Sequence, residues 1–382
     1  MLSISKMLSG QQESGDSLRY TGGQPPGPVV VWNATRACNL RCRHCYAGAT
    51  ADTDTGELTT GEARRFIDGL AAAGVPVLLF SGGEPLLRPD FWELASYARS
   101  RGIRPVVSTN GTLITRERAW HLKQTGVGYV GISLDGTREV NDRMRGITGA
   151  FDAALEGIRN CMAVGQRVGL RFTITRDNYC DIDAIFDLVE REGIARVCFY
   201  HLVCTGRGAS LRDKDLDPEE KRRVLDRIIA RTEDFCRRGM GKEVLTVDNH
   251  ADAAYIYLKL SKTDPEKAAQ AYTWLRRSGG NRSGIAIGAV DWQGNVYPDQ
   301  FTRGHVLGNV REKDFAHIWQ NGTHPLLAAL RNRRSFLKGR CAACRWLDIC
   351  NGNFRARAEA VHGDFWAPDP GCYLTDEEIR PS

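Results

Sequence analysis

Short apolar runs recur along the chain at 29–33 (VVVWN), 76–80 (PVLLF), 105–108 (PVVS), 129–134 (YVGISL), 168–175 (VGLRFTIT) and 197–203 (VCFYHLV). Between them lie longer segments with helix-like spacing, near 59–73, 90–102, 115–125, 150–165 and 182–192. Strands that alternate with such helices predict βαβ units and a parallel sheet. Six units are visible, fewer than the eight of a closed barrel. Right-handed crossovers then curl them into an open, partial (β/α)6 TIM-like barrel.

Within two of these runs the polarity has period two. Arg171, Thr173 and Thr175 share one face of 168–175, and Leu170, Phe172 and Ile174 the other. Gly131, Ser133 and Asp135 likewise oppose Val130, Ile132 and Leu134. Inside an α/β fold this alternation needs a polar cavity on one side and helices on the other. The polar faces are therefore expected to line a lumen, with chemistry on the loops at the strands' C-terminal ends.

The pattern changes at both ends. Residues 1–27 run into TGGQPPGP and read as an N-terminal linker or extended arm. The barrel is assigned to 28–215 and a charged, mostly helical connector to 216–280. From 281 to 382 a smaller C-terminal domain begins, with IAIGAVDWQGNVYPDQF read as a β-hairpin around QGN.

Composition adds limits. The chain has 382 residues, enough for one large and one small domain. Its net charge of +6 is too diffuse for a nucleic-acid tail and suits an anionic small substrate equally well. No apolar run is long enough to span a membrane, and the opening MLSISKMLSG is too short for a signal peptide. The expected setting is the cytoplasm, with no nucleic-acid or membrane partner.

Twelve cysteines in a long chain without an export signal point to metal rather than disulfides. Seven fall into two groups: Cys38, Cys42 and Cys45, and Cys341, Cys344, Cys350 with Cys372. The other five, Cys161, Cys180, Cys198, Cys204 and Cys236, read as small hydrophobes. The first group is spaced C-x3-C-x2-C. Structural zinc wants four tetrahedral ligands, and His44 is awkwardly adjacent to Cys45 for that role. A cubane iron–sulfur cluster has four irons, each taking one outside ligand. Three cysteines leave one iron open for a cosubstrate.

C-x3-C-x2-C followed by Tyr46, at the end of a first barrel strand, resembles the radical S-adenosylmethionine (SAM) superfamily. SGGEP (81–85), STNG (108–111), SLDG (133–136) and LRFT (170–173) match further motifs of that family. The resemblance implies a [4Fe–4S] cluster on Cys38, Cys42 and Cys45 whose open iron is chelated by SAM. Reduction then gives a 5′-deoxyadenosyl radical that abstracts hydrogen from the substrate. It implies that Gly82, Gly83, Glu84 and Pro85 receive the methionyl amine. Ser108, Asn110, Ser133 and Asp135 become ribose-side candidates, and Arg171 a carboxylate partner. Against these stand plainer readings: a tight turn for Gly82 and Gly83, and an internal ion pair for Arg171.

The second group, C-x2-C-x5-C then Cys372, resembles the auxiliary-cluster region called SPASM or its shortened twitch form. The full pattern wants a cysteine where Phe354 stands and others near the hairpin, where Ala289 and Asp299 stand. Four cysteines suffice for one auxiliary [4Fe–4S] cluster, and zinc stays open as the alternative. Longer stretches, including PGPVVVWNATRACNLRCRHCYAGA and the segment 341–379, resemble a subgroup acting on iron-bound, siroheme-derived tetrapyrroles in alternative haem biosynthesis. That resemblance implies removal of two acetate side chains from 12,18-didecarboxysiroheme to give Fe-coproporphyrin III, with a flavodoxin or ferredoxin type reductant as partner.

A flat disc edged with carboxylates needs a wide mouth and rim cations, for which Arg207 and Arg303 are candidates beside a plain surface role. Tyr200, His201, His250 and His305 are candidate iron ligands, with at most one of Tyr200 and His201 facing the lumen. Asp248 and Asn249 read equally as a helix N-cap or as substrate contacts. The rival readings are a haem d1 type enzyme acting on propionates, a peptide-maturing SPASM enzyme and a metal-binding scaffold. The first 27 residues look too few for the peptide-recognition domain that a peptide-maturing enzyme often carries.

Overall fold

A computed structural model describes residues 1–382 other than 12, 14, 21, 23–26, 321–323 and 381–382. All six anticipated barrel strands form: β2 (Val29–Thr35), β3 (Val77–Gly82), β4 (Arg104–Thr109), β5 (Val130–Ser133), β6 (Val168–Ile174) and β7 (Arg196–His201). They pair in parallel and in sequence order, so each crossover returns beside the strand it left. Helices Thr60–Ala72, Phe91–Ser100, Arg116–Thr125, Ala150–Ala163 and Ile182–Arg191 cover the outside. The first is opened by a capping box between Thr59 and Glu62.

The core fills the space between sheet and helices. Trp32 of β2 is fully buried and packs on Phe66 and Phe80, with ring centroids 5.4 and 5.5 Å away. Farther round, Phe199 packs between Phe172 and Phe186 at 5.7 and 5.3 Å. The period-two alternation is realised: Leu170, Phe172 and Ile174 are buried in this core, while Arg171 and Thr173 line an interior cavity.

Five more strands extend the sheet among the described residues. The connector, expected to be mostly helical, holds helices Pro218–Arg237, Ala251–Thr263 and Pro265–Ser278 but also β8 (Glu243–Val247), parallel to β7. The N-terminal segment is more than a linker. Its β1 (Leu2–Ser3) pairs antiparallel with β8, and Ile4 and Met7 of the following short helix are fully buried. Most of the expected TGGQPPGP linker lies outside the described residues. At the opposite edge β9 (Ile287–Val290) lies parallel to β2 and turns back as a hairpin into β10 (Asn295–Tyr297), which pairs with β11 (Gly308–Asn309). The hairpin closes at Gly294 (φ 87°), while Asp291 accepts the N–H groups of Gln293 and Asn295.

The sheet is thus one open arc, β1-β8-β7-β6-β5-β4-β3-β2-β9-β10-β11, with no closure between its ends. The C-terminal hairpin continues the barrel sheet itself. Among the described residues no helix is long and apolar enough to cross a membrane.

Candidate active site

Past Thr35 the chain leaves β2 and enters the loop that carries Cys38, Cys42 and Cys45. The loop is irregular, so its shape comes from its neighbours. Cys38 N–H donates to the Thr50 carbonyl at 2.7 Å. The N–H groups of Arg41 and Arg43 donate to the carbonyls of Arg145 and Met144 at 3.0 and 2.9 Å. Those carbonyls end helix Arg138–Arg145, where a helix has no acceptor use of its own. On the other side Arg207 donates from Nε to the Cys42 carbonyl (2.9 Å) and from Nη1 to that of Ala49. Arg303 Nη1 donates to the Ala47 carbonyl at 3.2 Å. These two arginines, weighed as rim cations or plain surface residues, brace the cysteine loop, because buried carbonyls must find donors, and Arg207 also borders the cavity.

The three cysteines border a cavity at the C-terminal ends of the strands. Tyr46, Gly82, Gly83, Ser108, Asn110, Ser133 and Arg171 border it too. The Tyr46 hydroxyl donates to Asn33 Oδ1 and is 3.1 Å from Ser81 Oγ. Asn110 Nδ2 donates to Asn39 Oδ1 at 2.8 Å and lies 4.0 Å from Cys38 Sγ. Arg171 donates to Ser108 Oγ and lies 4.7 Å over the Tyr200 ring. Among the described residues it has no carboxylate partner, unlike the internal ion pair weighed above. A buried guanidinium with a free edge on a cavity is a receptor for an incoming carboxylate.

Three expected contacts sit elsewhere. Glu84 is fully buried and turned into the protein. Its carboxyl accepts from Thr109 Oγ1 (2.7 Å), Asn110 N–H (2.9 Å) and Leu86 N–H (3.2 Å), so it ties β3 to β4. Burial pushes its pKa up to about 7. Pro85 opens a short 3-10 turn and is buried beside it. The backbones of Gly82 and Gly83 reach the cavity in their place. At Gly83 any Cβ would come within 2.0 Å of the Ala37 carbonyl oxygen, so this close approach admits only glycine. Asp135 is also fully buried and is not itself on the cavity wall. It is ion-paired with Arg145 and with His44 Nε2 (3.1 Å).

The donor set suits an iron–sulfur cluster. Burial pushes the Cys38 thiol up to about 12 and raises Cys42 as well, so ionising these thiols requires a metal to displace the protons. Donors for the charged sulfurs are already present: Leu40 N–H on Cys38 Sγ (3.4 Å) and Arg145 Nη1 on Cys42 Sγ (3.6 Å).

Deeper along the cavity wall stand Tyr200, His201, Asp248 and Phe301. Of the candidate iron ligands, Tyr200 and His201 both border the cavity, where strand alternation allowed only one. His201 is the last residue of β7, still in register with Ile174 of β6, while the ladder with β8 ends one residue earlier at Tyr200. The His201 ring is hydrogen-bonded to Asp252 (3.0 Å), which also accepts from Tyr373 (2.6 Å). His250 and His305 are not on the cavity wall, and His305 pairs with Glu359 at 2.7 Å. The polar group after β8 divides its work. Asn249 accepts from Ala251 N–H and Asn353 and donates to the Gly371 carbonyl. Asp248 borders the cavity in a left-handed backbone (φ 67°), and burial pushes its pKa up to about 6. Such strain in a non-glycine residue marks a functional position.

Cys341, Cys344, Cys350 and Cys372 border one second cavity of about 400 Å³ with an apolar lining. After Cys350, Asn351, Gly352 and Asn353 are all left-handed, which turns the chain back toward Asn249. Phe354 packs on Phe301, and Asp299 accepts from Phe301 N–H and Thr302 N–H within its own loop. Burial pushes the Cys372 thiol up to about 11 and Cys350 well above its ordinary range.

Comparison with known proteins follows this geometry. The model of the radical SAM superfamily matches residues 32–189, and that of SPASM, an iron–sulfur cluster-binding domain, matches residues 287–345. The chain is 53% identical to Fe-coproporphyrin III synthase of Methanosarcina barkeri over 99% of both chains. It is 43% identical to pre-heme d1 synthase of Dinoroseobacter shibae, over 92% of this chain and 88% of that one. Among solved structures, Streptococcus suis SuiB bound to precursor peptide SuiA superposes with a TM-score of 0.72. That match covers 92% of this chain and 76% of SuiB at 19% identity, a likeness of fold alone.

Proposed function

The chain belongs to the radical SAM superfamily and carries a SPASM auxiliary domain, and on that premise we propose that it removes two acetate side chains from 12,18-didecarboxysiroheme to give Fe-coproporphyrin III. The observation that carries the reading is the 53% identity to an Fe-coproporphyrin III synthase across 99% of both chains. As a radical SAM enzyme it binds a [4Fe–4S] cluster and SAM, and its SPASM domain binds an auxiliary iron–sulfur cluster.

Cys38, Cys42 and Cys45 would hold the SAM-binding cluster, and Cys341, Cys344, Cys350 and Cys372 the auxiliary one. Bound together, the reduced cluster and SAM supply a 5′-deoxyadenosyl radical for hydrogen abstraction. The chain's own residues do the positioning. Gly82 and Gly83 would offer backbone groups to the methionyl end of SAM, and Arg171 would receive its carboxylate. Tyr46, Leu202, Val203 and Phe301 give the cavity an apolar wall against which a flat macrocycle can lie. Tyr200 and His201 border that wall and are the candidates to face the substrate's iron. Such placement brings one acetate methylene within reach of the radical and excludes water and alternative hydrogens. A flavodoxin or ferredoxin type protein would supply the electrons.

The test is an anaerobic turnover of reconstituted, reduced protein with SAM and 12,18-didecarboxysiroheme, followed by mass spectrometry. Fe-coproporphyrin III with 5′-deoxyadenosine is the expected result. Deoxyadenosine with an unchanged tetrapyrrole overturns the substrate. Loss of mass from propionates instead favours the reading that the 43% identity to pre-heme d1 synthase would carry.

A further inference from the structure

The inference rests on the reading of Cys38, Cys42 and Cys45 as cluster ligands and concerns a charge placed against one of them. Among the described residues Cys38 Sγ accepts from neutral donors, Leu40 N–H and Asn110 Nδ2. Cys42 Sγ is different, because the guanidinium of Arg145 donates to it from Nη1 at 3.6 Å. The Arg145 side chain is 9% exposed, so water screens this charge weakly.

The guanidinium is held in place. Its Nη2 is ion-paired with Asp135 Oδ2, a carboxylate with no exposure, and His44 Nε2 approaches the same oxygen at 3.1 Å. Asp135 is itself fixed: its Oδ1 accepts Thr173 N–H at 2.7 Å, and its own N–H donates to Asn141 Oδ1 at 2.9 Å. Asn141 and Arg145 lie one helical turn apart in helix Arg138–Arg145. That helix also takes the N–H groups of Arg41 and Arg43 on its last carbonyls. Backbone and side chain therefore fix one distance, that between the guanidinium and the Cys42 sulfur.

We infer that Arg145 is a positioning residue that sets the reduction potential of the three-cysteine cluster by holding a buried positive charge and an N–H donor on the Cys42 sulfur. An added electron increases the negative charge on the cluster and its sulfurs. A fixed cation and a sulfur-directed donor stabilise that reduced state more than the oxidised one. The potential rises, and a weaker physiological reductant suffices. Asp135 contacts the guanidinium and not the sulfur, so it orients the charge and offsets only part of it at Cys42. A lysine at 145 would keep a charge but could not serve the carboxylate and the sulfur from one rigid fork.

The experiment is an anaerobic redox titration of the reconstituted full chain followed by electron paramagnetic resonance. The open-iron cluster is recognised by the change in its signal when SAM is added, which separates it from the auxiliary cluster. At the potential where the wild-type cluster is half reduced, Arg145→Gln is expected to show a reduced-to-oxidised ratio about tenfold lower, about 59 mV for a one-electron couple. Arg145→Lys is expected to fall between the two, and the auxiliary signal to stay where it was. A ratio within about twofold of wild type in Arg145→Gln, with wild-type iron content and SAM response, overturns the inference.

If Arg145→Gln does not load its cluster, the double variant Arg145→Gln/Asp135→Asn removes both buried charges together. It is expected to shift in the same direction by a smaller amount, and an unchanged or higher ratio there overturns the inference as well. Wild-type protein with no SAM-sensitive signal would instead overturn the cluster assignment on which the inference rests.

Discussion

Arg171 and Glu84 divide the labour that their motifs suggest they share. Arg171 borders the cavity with no ion-paired acid among the described residues, so its guanidinium is the natural seat for a carboxylate. Arg171→Gln is expected to weaken SAM binding at least tenfold, as loss of a charged hydrogen-bond pair costs about 1.5–3 kcal/mol. Equilibrium binding to cluster-loaded protein measures this, and unchanged affinity would move the carboxylate seat elsewhere. Glu84 acts from behind the site, with its pKa up to about 7 against an ordinary 4.5. Between those two values the folded chain keeps a proton that the unfolded chain has lost, so stability falls as pH rises through that window. Glu84→Gln removes the titration. Its stability in cofactor-free protein is expected to stay flatter between pH 4.5 and 7, by at most about 3 kcal/mol. Parallel denaturant curves at several pH values would reveal it, and superimposable pH profiles for the two proteins would refute it.

Elements turn those residues into a site by close approach. Gly83 lets β3 pass the cysteine loop so tightly that its N–H donates to Thr35 and a methyl group would strike Ala37. Gly83→Ala is expected to prevent loading of the first cluster while the auxiliary cluster still assembles, so bound iron falls by about half. Iron assay after reconstitution checks this, and full loading would show that the loop can give way. The six barrel strands were legible because apolar runs of four to eight residues between helix-like segments have few other readings. β8 was not, since five residues between charged helices carry too little pattern. The cysteine loop announced itself through spacing, which is chemistry written in sequence. Arg145 did not, because NDRMRG reads as a charged, solvated helix end until the loop docks on it. Arg207 and Arg303 misled for the same reason: which acceptor an arginine finds is decided by packing between distant segments. Cys372 shares a cavity with the other three cysteines, and Asn249 links the turn at 351–353 to Gly371 just before it, a meeting of distant segments that spacing does not encode.

At the scale of the whole molecule, a buried ion pair ties the C-terminal segment to the barrel. Arg357 grips Asp369 with Nε and Nη2 at 2.8 and 3.0 Å and donates onward to the carbonyls of Leu202 and Asp248. Asp369 also accepts Gly371 N–H, one residue before Cys372, so the pair links the barrel's strand ends to the auxiliary cysteines. Arg357→Met would strand a buried carboxylate and is expected to destabilise the protein by about 3–5 kcal/mol, with Arg357→Met/Asp369→Leu recovering most of it. Anaerobic denaturant unfolding distinguishes the two, and equal losses would rule out the ion pair as the cause. The pairing of β9 with β2 has a different kind of consequence, one in time. Val29 lies beside Ile287, so the β2 flank of the barrel waits for a segment made much later. At about 5–20 residues per second, on the order of ten seconds or more of synthesis separates the emergence of β2 from that of β9. During that interval the nascent barrel presents a naked Val-Val-Val-Trp edge, the kind of surface that invites aggregation and chaperone capture. The last hundred residues thus act as the barrel's own late-arriving guard, and truncating them would expose the growing chain before it removed any chemistry.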